Sequence, residues 1–324
     1  MNRKTAGLSG LAVLVAFLLA FPFIVSQDSF FLHTMIYLMF FVVLAAGLNL
    51  IMSTGQLSIG HAAFMGVGAY TCGILVTRYG MSFWAGWFFA GVFSGVLAWI
   101  LGRITLPVKG VFFAILTFSF GEIIRMTFVN VGFFGGVNGI TGIPVPAPLD
   151  LGLVHLSFDN KADFYYVVLF FSLACVTIYV RLINSQIGRI FRSISDGDVL
   201  SECCGIDTMK YKLVAFVVGS VWAGMVGGLY ASYFTYINPD SFTFVESVDF
   251  IIISVVGGVG TLTGPIFGSL FLIGLPEIIR FAREYERIIY ALCLILVLFF
   301  VPKGVGGAVE SWIRGKSAVA KDIS

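Results

Sequence analysis

Charge is what this chain has least of. Of its 324 residues, 19 are Lys or Arg and 17 are Asp or Glu. That is 11% in all, where a soluble domain carries about a quarter. So few polar groups cannot form a shell over a composition that is 59% hydrophobic and includes 34 Phe, and the mean hydropathy is +1.00. A soluble globule is excluded, and most of the surface must face lipid. Histidine is nearly absent, with His33, His61 and His155 far apart and not grouped with Cys or acidic residues in any metal-binding pattern. Cys72, Cys175, Cys203, Cys204 and Cys293 lie in or beside apolar segments, lack ligand spacing, and read for the most part as buried thiols. A phosphate loop is lacking too: "GKS" at 315–317 has Glu310 where the motif needs its first Gly, and Gly257, Gly258 and Gly260 follow a membrane run instead of a strand. No catalytic constellation, cofactor site or energy source is encoded, and nothing marks a nucleic-acid partner.

What the chain has in abundance is apolar runs. A bilayer core of about 30 Å takes roughly 20 helical residues. Runs of that kind lie at about 8–25, 34–52, 83–102, 111–131, 164–182, 213–236 and 287–301. Two more, 58–77 and 248–281, are interrupted by Gly, Pro or polar residues. The reading is an all-α, polytopic membrane protein of about ten spans if 248–281 makes two elements and nine if it makes one, with short or broken segments near 53–60 and 257–265. All of 1–324 reads as a single transmembrane domain. The amino-terminal run has a basic start but no cleavage site before Pro22, and reads as a retained helix.

Basic residues near helix ends set orientation. Arg3 and Lys4 place the amino terminus in the cytoplasm, which puts the Gly- and Pro-rich loop 132–163 outside, where Lys161 is its one basic residue beside Asp150, Asp159 and Asp163. The segment 184–212, with Arg189, Arg192, Lys210 and Lys212, then falls inside. Lys303, Arg314, Lys316 and Lys321 place the carboxyl terminus inside as well, which favours the even count of ten.

The interruptions carry the functional signal. "GQLSIGHAAFMG" at 55–66 and "GTLTGPIFG" at 260–268 share Gly, Leu two residues later, a hydroxyl residue, Gly, Phe and Gly. Paired breaks mark transporter folds in which broken helices meet near the middle of the membrane; plain packing of small residues is the other reading. Asn49, Gln56, Ser58, His61, Gly260 and Thr263 are therefore candidates for a translocation path or a permease interface. Glu122 and Arg125, at i and i+3 within a span, join them as either a functional pair or a structural ion pair.

The inner polar stretch "SQIGRIFRSISDGDVLSECCGIDTMKYK" at 185–212 places Ile187, Ile190, Phe191 and Ile194 on one stripe of a short helix. Gly197 breaks that helix, Asp196 or Asp198 can cap the next, and Gly205 can end it. Such a knob either rests on the membrane surface or offers its stripe to a groove in a cytoplasmic partner, and the missing energy source favours docking.

Taken in order, "GLNLIMSTGQLSIGHAAFMGVGAY", "FAILTFSFGEIIRM", "GGVNGITGIP", "GRIFRSISDGDVLSECCGI" and "VVGGVGTLTGPIFG" resemble the LivM-type permeases of branched-chain amino acid ABC transporters, over about residues 35–305. The resemblance implies an importer subunit of the bacterial cytoplasmic (inner) membrane. It would pair with a LivH-type second permease, two cytoplasmic ABC ATPases and an extracytoplasmic solute-binding protein, and carry leucine, isoleucine or valine by alternating access. It also implies that Ile187, Phe191, Asp196, Gly197, Asp198, Glu202 and Gly205 couple to the ATPases. In the general permease motif a Gly stands six residues after Glu; here Glu202 and Gly205 are three apart. Urea or short-amide permeases are similar in the same blocks, and a self-sufficient channel or ion-coupled carrier is the reading from another class.

Overall fold

The computed structural model describes residues 17–23, 29–108, 110–146, 149–150, 155–156, 161–279, 292, 295–296, 299 and 304–308. The spans expected over 8–25 and 287–301 lie largely outside the described residues, as do Cys293 and the basic residues of both termini, and the "GKS" stretch lies wholly outside them. In lipid every backbone polar group must find a partner within the protein, so the apolar runs become helices. The main ones are α1 (Ser29–Met52), α2 (His61–Thr77), α3 (Phe83–Thr105), α4 (Val111–Asn130), α5 (Lys161–Asn184), α6 (Gln186–Asp196), α7 (Asp198–Cys203), α8 (Thr208–Phe234), α9 (Phe244–Gly257) and α10 (Gly264–Ile279).

Five of these, α1, α3, α4, α5 and α8, are long and apolar enough to cross a membrane. The 17-residue α2, 14-residue α9 and 16-residue α10 reach only about 21 to 26 Å at 1.5 Å per residue. The segment 248–281 is thus two elements, split at 258–263.

The helix α8 forms the centre and packs on α1, α2 and α3. Its close approach to α2 depends on Gly68 and Gly227: a Cβ added to either would overlap the backbone of the facing helix. Gly68, part of the first Gly-rich stretch, therefore serves ordinary helix packing. Rings fill the half of the core away from α6, with Tyr70 stacked on Phe128 at 4.0 Å and Tyr230 tilted on Phe234 at 4.4 Å. On α3 and α4, Phe88, Phe93, Ile104, Phe112 and Ile123 are exposed and form an apolar outer face suited to lipid.

Short pieces close one end. After α4 come two single-turn 3-10 helices (Gly132–Phe134 and Gly136–Asn138), then β1 (Ile140–Thr141), β2 (Leu149–Asp150) and β3 (His155–Leu156). The strand β1 pairs antiparallel with β4 (Tyr236–Ile237), with Ile140 opposite Ile237, while β2 pairs with β3. The β1–β4 pair ties the loop after α4 to the end of α8. A 3-10 turn, Pro239–Phe242, leads into α9 and drives Phe242 against Gly66 of α2.

Candidate functional site

The first break begins where α1 stops. Ser53 Oγ donates to the Asn49 carbonyl at 2.7 Å and Thr54 Oγ1 to the Ile51 carbonyl at 2.7 Å, and Gly55 then takes φ 77°. This hydroxyl-rich ending turns the chain without leaving carbonyls bare. The chain 56–60 re-enters the bundle as irregular backbone, which membrane depth tolerates only inside protein. Side chains of other helices hold it: Ile59 N–H donates to Thr117 Oγ1 at 3.1 Å, and Ala62 N–H, in the first turn of α2, to Ser247 Oγ at 2.9 Å. Gly60 lies so close to the Thr117 carbonyl that no side chain fits.

The second break meets the first. Ser254 Oγ donates to the Ala45 carbonyl and Asn49 Nδ2 to the Gly258 carbonyl, both at a separation of 209 residues, so α1 and α9 run parallel. Gly258 and Gly260 have φ 105° and 68°, and Gly260 N–H donates to Asn49 Oδ1 at 2.8 Å. Tyr179 of α5 holds the same knot, its hydroxyl 2.9 Å from Asn49 Oδ1 and 2.7 Å from the Thr261 carbonyl. A phenol has one proton, so it donates to one of the two at a time. Thr263 Oγ1 points to the Gly306 carbonyl at 3.5 Å, the limit of hydrogen bonding.

The breaks do not meet midway along the helices, where the transporter pattern places them. Asn49 is in the last turn of α1, and Tyr179 is five residues before the end of α5. The meeting point therefore lies toward the end that carries the polar segment α6–α7, and α6 touches both breaks. Arg192 donates to the Gly260 carbonyl at 3.3 Å, and the Ser195 backbone lies against Gly55. Sequence reading had no signal for Tyr179 or Ser195, and Arg192 looked solvent-facing because it falls off the apolar stripe.

That stripe is turned inward. Phe191 and Ile194 are 1% and 3% exposed, packed within this chain, and Ile187 is half-buried against the same core. A partner cannot take them without unpacking α6, which corrects the expected docking face. The exposed apolar residues are on α7, at Val199 and Leu200, with Glu202, Cys203 and Cys204 also exposed; these two thiols depart from the buried reading that Cys72 and Cys175 fulfil. Asp196 is exposed, and Gly197 caps α7 in extended backbone that any residue can adopt. Asp198 forms an ion pair with the buried Lys212 of α8, Glu202 Oε1 accepts from Thr208 Oγ1 at 2.6 Å, and Gly205 ends α7 with φ 81°.

Two further groups complete the site. Arg125 binds Glu122 at 3.0 Å and also reaches Asp240 at 3.5 Å, beside the turn that precedes α9. This pair is therefore part of a triad on the side of the molecule away from α6. Between the two ends lies a polar layer: Gln56 Oε1, Ser58 Oγ and both ring nitrogens of His61 are buried without a hydrogen-bond partner among the described residues. Leaving a buried donor or acceptor unpaired costs about 1 to 3 kcal/mol each, which sets these groups apart from the paired polar atoms of the breaks. Among the described residues no group of His, Cys, Asp and Glu could hold a metal.

Comparison with known proteins places this geometry in context. The family described as "Branched-chain amino acid transport system / permease component" matches residues 30–298. The high-affinity branched-chain amino acid transport system permease protein LivM of Salmonella typhimurium is 29% identical over 331 residues, covering 96% of this chain and 77% of that protein. LivM of Escherichia coli is 28% identical with the same coverage. The permease protein LivH of Escherichia coli is 30% identical over 148 residues, 45% of this chain and 47% of that protein. No solved structure matches.

Proposed function

The chain belongs to the permease-component family of branched-chain amino acid transport systems, and from that membership we propose that it is one of two permeases in an ABC importer of leucine, isoleucine and valine. In this reading residues 1–324 form one multi-pass domain of the bacterial cytoplasmic membrane with the amino terminus inside. A LivH-type permease stands beside it, two ATPases bind below, and a solute-binding protein delivers cargo from outside. ATP hydrolysis belongs to the ATPases.

One observation supports this reading above the others: the polar segment and both helix breaks share a single hydrogen-bonded knot. ATP binding would draw the ATPases together and shift α6–α7. Arg192 and Ser195 would pass that shift to Gly260 and Gly55, loosening the closure at the cytoplasmic ends of α1 and α9. Exposed Val199, Leu200 and Glu202, with Asp196 and Gly197 at the α6–α7 junction, would make the ATPase contact. Buried Phe191, Ile187 and Ile194 would bind α6 to the bundle so that it moves as a lever. Gly205 and Asp198 would set the angle of α7.

The test is reconstitution in proteoliposomes with the second permease, both ATPases and the binding protein. Leucine uptake that requires ATP and every component supports the reading. Uptake of urea in place of leucine moves the cargo to the amide class, and flux through this chain alone overturns the ABC assignment in favour of a channel or carrier.

A further inference from the structure

Two cavities open on the side of the molecule opposite α6. One, of about 240 Å³, lies between Tyr37, Leu44, Met65, Tyr230, Glu246 and Phe250. The other, of about 350 Å³, shares Tyr37, Phe41 and Glu246 with it and adds Asp249. They lie side by side between α1 and α9 with these walls in common, the first bordered by the turn before α9 and the end of α8, the second by Leu272 and Ile273 of α10.

The lining is divided by chemistry. At its upper edge are Glu246 and Asp249, three residues apart on one face of α9, with the hydroxyl-bearing rings of Tyr37 and Tyr230 close by. Among the described residues neither carboxylate has an ion pair or hydrogen bond, and no Lys or Arg lines either cavity. Asp240, at the rim, is already engaged by Arg125. A carboxylate in an aromatic wall at membrane depth is costly unless a cation or water meets it. At the lower edge the wall is apolar: Leu44, Met65 and Phe250.

The floor carries the independent observation. Phe250 meets His61 edge-on, with ring centroids 6.2 Å apart and planes at 85°. His61 is fully buried, with the Leu44 backbone as its near polar neighbour and neither ring nitrogen in a well-formed hydrogen bond. The unpaired Ser58 Oγ and Gln56 Oε1 precede it along the first break. A polar layer with open valences thus lies directly under an apolar floor.

We propose that this pocket is the outward-facing binding site for a zwitterionic α-amino acid with an aliphatic side chain. Glu246, supported by the field of Asp249, takes the ammonium group, and the Tyr37 and Tyr230 hydroxyls donate to the carboxylate. Leu44, Met65 and Phe250 hold the side chain. When the floor parts, His61, Ser58 and Gln56 receive the polar head on its way to the breaks. The inference rests on the importer reading and deepens it: a neutral amide such as urea has no use for an uncompensated carboxylate at this position.

The test uses the full reconstituted complex with radiolabelled leucine, valine and urea. E246Q is expected to lower leucine uptake by roughly tenfold or more, the loss of one charge-assisted hydrogen bond, with assembly of the complex unchanged. E246D, which keeps the charge, is expected to recover most of that uptake, and Met65→Phe, which narrows the floor, to shift the preference from leucine towards valine. Wild-type leucine uptake by E246Q overturns the site while leaving the importer reading intact. Equal loss in E246Q and E246D, with Met65→Phe leaving the leucine-to-valine ratio unchanged, also overturns it. A wild-type complex that carries urea and not leucine overturns the cargo reading itself.

Discussion

Asn49 is the residue on which both breaks depend. Its amide donates to one backbone group of the second break and accepts from another, inside a site that is 0% exposed. Asn49→Ala strands a carbonyl and an N–H together, so a loss of about 2 to 5 kcal/mol is expected, against about 1 kcal/mol for Tyr179→Phe. Thermal unfolding of the purified complex in detergent measures the difference, and equal shifts for the two variants would contradict the hub role. Lys212 makes a second prediction at this scale. Its side chain is 5% exposed and paired with Asp198, so Lys212→Met takes the cation from a largely buried carboxylate, with an expected loss of about 3 to 5 kcal/mol. Adding Asp198→Leu should recover most of that stability in the same unfolding measurement, because two apolar groups then replace a buried pair.

At the scale of elements, the coupling residues expected over 187–205 separate into the buried stripe of α6 and the exposed face of α7. Phe191→Asp is expected to lower the yield of folded permease, since it buries a charge in the core. Leu200→Asp changes an exposed residue and is expected to leave folding intact while reducing co-purification of the ATPases several-fold. The opposite pattern would restore the stripe as the docking face. Arg192→Ala should act on the other arm of the lever: ATPases still co-purify, leucine uptake falls, and ATP hydrolysis continues at close to its usual rate. Intact coupling in that variant would show that the Gly260 contact carries no motion.

Across the whole molecule, the two broken segments α1–α2 and α9–α10 meet at their breaks, and their leading helices α1 and α9 run parallel. Amide hydrogen exchange should report this directly. Trapping the ATPases in their closed state is expected to change protection at 53–60 and 258–263 together, and Asn49→Ala to separate the two responses. Opening of one break with the other unchanged, in the unmutated complex, would contradict a shared gate. The pocket and the knot lie on opposite sides of the His61 layer; under the proposed function they would be the entrance and the closed exit of one alternating-access state.

Much of this was legible in the residues. Lipid forces each span to satisfy its own backbone within the segment, so span positions follow from local length and apolarity, as α1, α3, α4, α5 and α8 show. Gly55 and Gly260 announced the turns because left-handed backbone selects Gly locally, while whether 248–281 makes one element or two was left open by the residues and decided by the structure. Tertiary structure alone decided what each polar group meets. The contact of Asn49 with Gly260 spans 211 residues and that of Tyr179 with Asn49 spans 130, distances over which no periodicity carries information. An amphipathic stripe such as Ile187, Phe191 and Ile194 says that an apolar face will be covered, but the cover is set by the rest of the fold, and here it is the chain itself. The pocket at Glu246 escaped the sequence for the same reason: its walls come from α1, α2, α8 and α9, and only packing brings them around a common space.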